Sequence, residues 1–186
     1  MKFNRTQHIY LRQGLIFICS ILLSATSALS AEAKISDLVI RESQGDLLVD
    51  FKIEDYFTEE MQAAVLKGIS IRIAFFVFFY EVRDFWLDNK LAEKEELHSI
   101  HYDALRKEYK IQRSWAKTGS VVEKDFMKAQ KFFSKIIGLE IISLARLKKG
   151  SHYQLWVKSE FNDHHLPFLG PLFGFKTDWY TVNFIF

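Results

Sequence analysis

Residues 69–86 read ISIRIAFFVFFYEVRDFW, and this pattern predicts the central strand of the fold. Alternate positions are apolar on one side: Ile69, Ile71, Ile73, Phe75, Val77 and Phe79. The other side begins polar with Ser70 and Arg72 and becomes apolar through Phe76, Phe78 and Tyr80. A strand with two apolar faces normally lies in the middle of a sheet. A transmembrane helix does not fit, because Arg72 and Glu81 enclose about half of the residues that a span needs.

The residues before this stretch predict a β-hairpin and a short helix. Residues 46–54 alternate between apolar and charged side chains, which is typical of a strand with one buried face. Residues 35–42 form a weaker strand, and the turn at 44–46 contains Gly45. We expect a helix over 58–67, capped by Thr58 and ended by Gly68, with Met61, Ala64 and Val65 on its buried side.

The residues after it predict further strands and a second helix. The charged run 88–96 is typical of a loop or a hairpin tip, and residues 98–104 and 109–115 are expected to be strands. Ser120 and Glu123 match a capping box, which predicts a helix over 121–137 that ends at Gly138. Three more strands are expected, the first two paired as a hairpin: 139–147, 152–161 and 179–186.

These elements predict the fold class and the domain organisation. The chain is expected to be α+β and strand-dominated, a mostly antiparallel sheet or sandwich of about eight strands with two short amphipathic helices. One domain over residues 34–186 follows an N-terminal signal segment, residues 1–33. A domain of this size buries about 70% of its unfolded surface.

The N-terminus has the three parts of a secretory signal peptide. Basic residues come first, residues 15–23 are almost wholly apolar, and the small residues of 24–33 follow. Ala31-Glu32-Ala33 predicts cleavage before Lys34, with Ala28-Leu29-Ser30 as the alternative site. We therefore expect an exported, periplasmic protein. The alternative is a protein anchored in the inner membrane by residues 14–29.

Composition excludes several kinds of chemistry. Cys19 is the only cysteine and lies in the signal segment, so the exported domain has no disulfide, no catalytic thiol and no cysteine-bound zinc. The chain has 25 basic and 23 acidic residues, and removal of Lys2, Arg5, Arg12 and Glu32 leaves the charges balanced. This balance argues against binding to nucleic acid, and membrane contact is expected only through an uncleaved N-terminal segment.

No catalytic, metal or cofactor motif is present. The sequence has no G-x-S-x-G and no phosphate-binding glycine pattern. Asp163-His164-His165 are adjacent, and Glu95, Glu96, His98 and His101 are unfavourably spaced for one metal ion. We predict no enzyme activity, no metal and no cofactor. The alternative is an envelope enzyme whose site combines His98 or His101 with Asp84 or Asp88.

The aromatic residues suggest a binding function. Trp and Tyr dominate the energetics of protein interfaces, and five aromatic residues fall at strand ends: Phe85, Trp86, Trp115, Trp156 and Trp179. They are the candidate binding surface of a non-enzymatic binding or interaction module. If they fill the core instead, this surface does not exist.

The last residues allow a second architecture. Tyr180, Val182, Phe184 and Phe186 alternate with polar or smaller residues, as in the last strand of a small outer-membrane β-barrel. A soluble domain with a half-buried last strand explains the same alternation. We expect these four side chains to close the core face of that strand.

The order of several short motifs resembles a known family. These motifs are Lys67-Gly68-Ile69, Arg83-Asp84-Phe85-Trp86-Leu87-Asp88, Tyr102-x-x-Leu105-x-x-x-Tyr109, Leu166-Pro167 and Asp178-Trp179. Over essentially the whole exported chain they are similar to the exported proteobacterial family known as domain of unknown function 4390. The resemblance implies a Gram-negative envelope location and no assigned activity. Because members of this family are often encoded near membrane sensor kinases, it also implies an envelope or inner-membrane partner such as a sensor kinase.

Overall fold

The computed structural model describes residues 33–85, 87–116, 119–161 and 174–186, all within one compact unit, Glu32–Phe186. The elements follow in the order β1 (Lys34–Ser43), β2 (Asp46–Glu54), α1 (Glu59–Leu66), β3 (Ile71–Glu81), β4 (Asn89–Asp103), β5 (Glu108–Arg113), β6 (Val121–Glu123), α2 (Phe126–Phe133), β7 (Lys135–Ser143), a short 3-10 helix (Leu144–Arg146), β8 (His152–Phe161) and β9 (Tyr180–Ile185). Residues 1–32 of the predicted signal segment and Trp86 lie outside the described residues.

The strands form two antiparallel sheets, which confirms the strand-dominated α+β class. One sheet has the order β1-β2-β7 and the other the order β6-β5-β4-β3-β8-β9. Strand β3 lies inside the larger sheet, between β4 and β8, as its two apolar faces predict. The described part of the chain contains nine strands, close to the eight expected.

The core lies between the two sheets. The predicted inner face of β3 is fully buried: Ile71, Ile73, Phe75, Val77 and Phe79 are at most 1% exposed. The alternating face of β2 meets it, and Phe51 packs edge-on against Phe75 with ring centroids 5.8 Å apart. Strand β1 approaches β8, and β7 approaches β4. Both helices add buried side chains to the same core, including Met61 and Phe133.

The first hairpin and the first helix form as predicted. Gln44 and Gly45 have positive φ angles of 54° and 87°, and they connect β1 to β2. Two such residues are typical of the tight turn that matches the twist of paired strands. Helix α1 begins after Thr58, whose hydroxyl accepts a hydrogen bond from the Met61 amide. Gly68 follows the helix with a φ of +83°.

The predicted loop or hairpin tip over 88–96 is correct for Asp88, which lies in the turn between β3 and β4, and wrong for the rest. Residues 89–96 form the first half of β4, which pairs with β3 from Asn89 opposite Glu81 to Ile100 opposite Ile71. Charged residues occur on both faces because the inner side at this end of the sheet faces a cleft between β4 and the smaller sheet. There Lys94 and Glu96 line a cleft of about 550 Å³ instead of entering the core.

The predicted helix over 121–137 is mostly wrong. Residues Val121–Glu123 form strand β6, which pairs with β5, so the capping box does not form. Helix α2 begins at Phe126 because the Asp125 carboxylate accepts a hydrogen bond from the Lys128 amide, at 2.8 Å. The helix ends at Phe133, and the next residues form strand β7.

The predicted hairpin between the strands at 139–147 and 152–161 is also wrong. Strand β7 pairs with β2 in the smaller sheet, whereas β8 pairs with β3 and β9 in the larger one. Sequence proximity suggested pairing, but the 3-10 helix and the turn after it carry the chain from one sheet to the other. Gly138 does not end a helix; it lies within β7 with a φ of +73°.

The last strand is only partly as predicted. Phe184 packs against Phe79 and Tyr153, with centroids 6.0 and 5.9 Å apart, and Phe186 also contacts the core. Tyr180, however, is 46% exposed and lines a surface pocket with Ile35 of β1. Within the described ranges, no helix has the length and apolar character that crossing a bilayer requires.

Candidate functional site

The outer face of the larger sheet carries a cluster of aromatic side chains. Because side chains alternate along a strand, burial of Phe75, Val77 and Phe79 directs Phe76, Phe78 and Tyr80 to the opposite face. All three are half-buried. Both helices pack against the inner face, so no described helix covers these rings.

Strand pairing brings two tryptophans beside them. Trp156 on β8 lies directly opposite Phe78 on β3, and its ring lies 5.8 Å from that of Tyr80. Trp179, just before β9, lies 5.1 Å from Phe78 and 6.0 Å from Trp156. These distances are within the range in which aromatic pairs attract each other. We call the five residues Phe76, Phe78, Tyr80, Trp156 and Trp179 the outer aromatic face.

A lysine lies across the outer aromatic face. The Lys158 ammonium lies 5.5 Å from the Phe76 centroid and 5.7 Å from that of Trp179. It also donates a hydrogen bond to Glu160, at 2.6 Å, and only 12% of its side chain is exposed. Cation–π attraction and this ion pair together hold the lysine stem flat on the rings.

Amide side chains fix the orientation of Trp156. Its indole N–H donates to Gln154 Oε1, and Gln154 Nε2 in turn donates to Asn183 Oδ1 at 2.8 Å. On the other side, Glu93 lies opposite Phe78 and Glu95 lies opposite Phe76, both exposed on β4. The outer aromatic face is thus an apolar centre with a border of polar and charged groups.

The structure brings together two of the five predicted site residues. Trp156 and Trp179 meet on the outer aromatic face, but Trp115 packs elsewhere and Phe85 lies in a fully exposed turn with a φ of +66°. Trp86 lies outside the described residues. The sequence prediction omitted Phe76, Phe78 and Tyr80, although the second apolar side of β3 was the signal that could have identified them.

Trp115 belongs to a buried polar contact. Its indole N–H donates to His98 Nε2 at 3.0 Å, and His98 Nδ1 donates to the Phe133 carbonyl at 2.8 Å. His98 is completely buried against the Phe75 ring. Burial lowers the pKa of His98 to about 4, so the imidazole is neutral at physiological pH. In the neutral ring one nitrogen donates through its N–H and the other accepts, as the two hydrogen bonds require.

The residues of the predicted enzyme alternative do not meet. His98 faces the core, whereas His101 is exposed on β4. Asp84 and Asp88 lie in the turn after β3, beyond the Glu81–Asn89 pair, and the Asp88 carboxylate accepts a hydrogen bond from the Arg83 amide. His98 pairs with Ile73, eight residues before the end of β3, which is roughly 26 Å along an extended strand.

The described residues contain no group of three or more His, Asp or Glu placed to hold a metal ion. Asp163, His164 and His165 lie outside those residues. The cleft beside Lys94 and Glu96 also contains Arg113, which stacks on Trp115 at 5.2 Å, and Glu140. Its mixed charges favour no single class of ligand, whereas the outer aromatic face has an apolar centre of aromatic rings.

Comparison with known proteins identifies the family. The family described as a domain of unknown function (DUF4390) matches residues 30–183, so the chain belongs to it. No curated protein and no solved structure gives a significant match.

Proposed function

We propose that this chain is an exported, non-enzymatic interaction module that binds a protein of the bacterial envelope through its outer aromatic face. One observation carries the proposal: four aromatic rings from three segments of the chain pack together, and Lys158 joins Phe76 to them, on a sheet face that no described helix covers. Aromatic clusters of this kind mark protein-binding surfaces when they are contiguous and bordered by polar groups.

The border of the outer aromatic face favours a protein partner. Acidic residues lie on β4, and Lys158 with Glu160 lies on β8, so the face has no single dominant charge. A surface of this kind suits the polar rim and apolar centre of a protein interface. It does not suit the run of phosphates of a nucleic acid.

The N-terminus and the family resemblance support the proposed location and partner. The signal-like residues 1–33 support export to the periplasm, with anchoring by residues 14–29 as the alternative. The family resemblance supports an inner-membrane partner such as a sensor kinase. The histidines and acids of the enzyme alternative are dispersed, which supports a binding function.

In-cell photocrosslinking tests this proposal. A photoreactive phenylalanine analogue in place of Glu93, opposite Phe78, is expected to crosslink the full chain to one discrete membrane protein of the envelope. Trp179→Ala removes the most exposed ring of the outer aromatic face and should abolish that product. Phe85→Ala, which removes an exposed ring elsewhere, is the matched control and should leave it unchanged. Equal crosslinking in wild type and Trp179→Ala would contradict the proposal.

A further inference from the structure

Among the described strands, β9 forms one edge of the larger sheet. An exposed edge strand can pair with another chain unless charge, a bulge or short length prevents it. The other edges of the described sheets have such protection: β1 has a bulge and a positive φ at Asp37, β6 has three residues, and β7 has register shifts against β2. Strand β9, with the sequence YTVNFI, has six residues, no charge and no proline.

The hydrogen bonds show which backbone groups of β9 point outward. The Phe186 amide donates to the Ser151 carbonyl, and the Phe186 carbonyl accepts from the Gly150 amide. Backbone groups alternate in direction along an antiparallel strand, so the N–H and C=O groups of Val182 and Phe184 also point toward β8. The N–H and C=O groups of Thr181, Asn183 and Ile185 therefore point away from the sheet, and among the described residues no strand pairs with them.

An apolar groove lies on the inner side of β9. It has a volume of about 360 Å³ and is lined mostly by apolar side chains of β1, β2 and the end of the chain, including Leu38, Ile40, Val182, Phe184 and Phe186, together with Arg41 and Glu42 of β1. A strand added to β9 would direct every second side chain toward this groove. The groove thus favours an added strand whose inward positions are apolar.

We propose that the occupant is a second copy of this chain, paired through β9 in antiparallel orientation about a two-fold axis. The outward groups set the register, because Thr181, Asn183 and Ile185 of both copies must exchange hydrogen bonds. Asn183 then lies opposite Asn183 of the other copy, and Thr181 lies opposite Ile185. In the same register Val182 lies opposite Phe184 beside the groove, so apolar side chains face each other and no like charges meet.

This pairing joins two six-stranded sheets into one continuous sheet. The outer aromatic faces of both copies then lie on the same side of it, next to β9. A dimer of this kind presents two copies of the outer aromatic face to one dimeric protein partner. The dimer itself does not depend on that binding function, so the two proposals can fail separately.

Charge variants of β9 test the dimer in solution. Protein purified from cells that express the full chain is expected to show twice the monomer mass by light scattering. Thr181→Lys with Ile185→Lys places like charges opposite each other in both pairs and should give the monomer mass. Thr181→Lys with Ile185→Glu places opposite charges there and should restore the dimer. A wild-type monomer, or a dimer that persists in the double-lysine variant, would overturn the proposal.

Cysteine crosslinking tests the register independently of affinity. In a Cys19→Ser background the chain has no other thiol. Asn183→Cys places two cysteines opposite each other, about 5.5 Å apart between Cα atoms, which a disulfide can bridge. Thr181→Cys alone is the matched control, because its two copies lie four residues out of register, roughly 13 Å apart. We expect a disulfide-linked dimer from Asn183→Cys only; equal linkage at both positions, or none at Asn183, would refute the register.

Discussion

At the scale of single residues, His98 links the core to the cleft at the sheet end. Its Nδ1 donates to the Phe133 carbonyl, and its Nε2 accepts from Trp115, so the neutral ring satisfies both of these buried partners at once. Protonation would place a hydrogen on Nε2, where the indole N–H already points, and would bring a charge into the core. The histidine that the sequence offered as a catalytic candidate is thus a structural residue in the described fold.

This environment predicts a pH-dependent stability. The His98 pKa falls from an ordinary value of about 6.5 to about 4, so between these values the unfolded chain binds a proton that the folded chain does not. Stability is therefore lost as the pH falls from 6.5 toward 4, by about 2 kcal/mol between pH 7 and pH 5. Urea unfolding at the two pH values measures this loss. His98→Asn keeps a donor and an acceptor without titrating and should show a smaller loss; an equal loss would assign the effect to other groups.

The aromatic residues show how much of the candidate site a sequence predicts. Trp115 and Phe85 were both predicted to belong to the binding surface. Trp115 is instead hydrogen-bonded to His98, and Phe85 is exposed in a turn away from any cluster. Trp156 and Trp179 meet only because β8 and β9 pair in one register. Residue type alone predicted which side chains could bind, but their grouping depends on strand pairing, which a single sequence does not specify.

At the scale of elements, the alternation of apolar residues predicted strands reliably, whereas a capping pattern alone did not predict a helix. Strands β2 and β3 formed where apolar residues alternate along the sequence. Helix α1 formed where an apolar stripe and an N-cap residue agree. Ser120 and Glu123 also matched a cap, yet Val121 and Val122 between them are β-branched and favour a strand. Pairing with β5 satisfied their backbone groups, and the helix began at the next suitable cap, Asp125.

Two alanine substitutions distinguish these caps. Asp125→Ala removes the acceptor of the Lys128 amide and should lower the free energy of unfolding by about 1 kcal/mol, the usual effect of losing an N-cap. Ser120→Ala is the matched control; it caps no helix here and should change stability by less than about 0.5 kcal/mol. Thermal or urea unfolding of both variants checks the prediction. A larger loss of stability in Ser120→Ala than in Asp125→Ala would support the predicted helix over 121–137 instead.

At the scale of the whole molecule, the fold class followed from the sequence but the division into sheets did not. The prediction of about eight antiparallel strands required only the count and spacing of apolar segments. Assigning β7 to the smaller sheet and β8 to the larger one required knowing that β2 and β3 each need a second partner. That need is satisfied by residues far apart in sequence, so neither local pattern nor proximity predicts it.

The two sheets share one core, and this predicts a single unfolding transition. Phe51 from the smaller sheet and Phe75 from the larger one are both buried and pack edge to face. Because each sheet needs the other to cover its apolar face, neither should remain folded alone.

Phe51→Ala leaves a cavity between the two sheets and should lower the free energy of unfolding by about 3–5 kcal/mol. Phe85→Ala, a fully exposed ring, is the matched control and should cost less than about 0.5 kcal/mol. Tryptophan fluorescence reports mainly on the larger sheet, where Trp156 lies, whereas far-ultraviolet circular dichroism reports on both sheets. The two urea curves should coincide in wild type and shift together in Phe51→Ala, and separate midpoints would show that the sheets unfold as independent units.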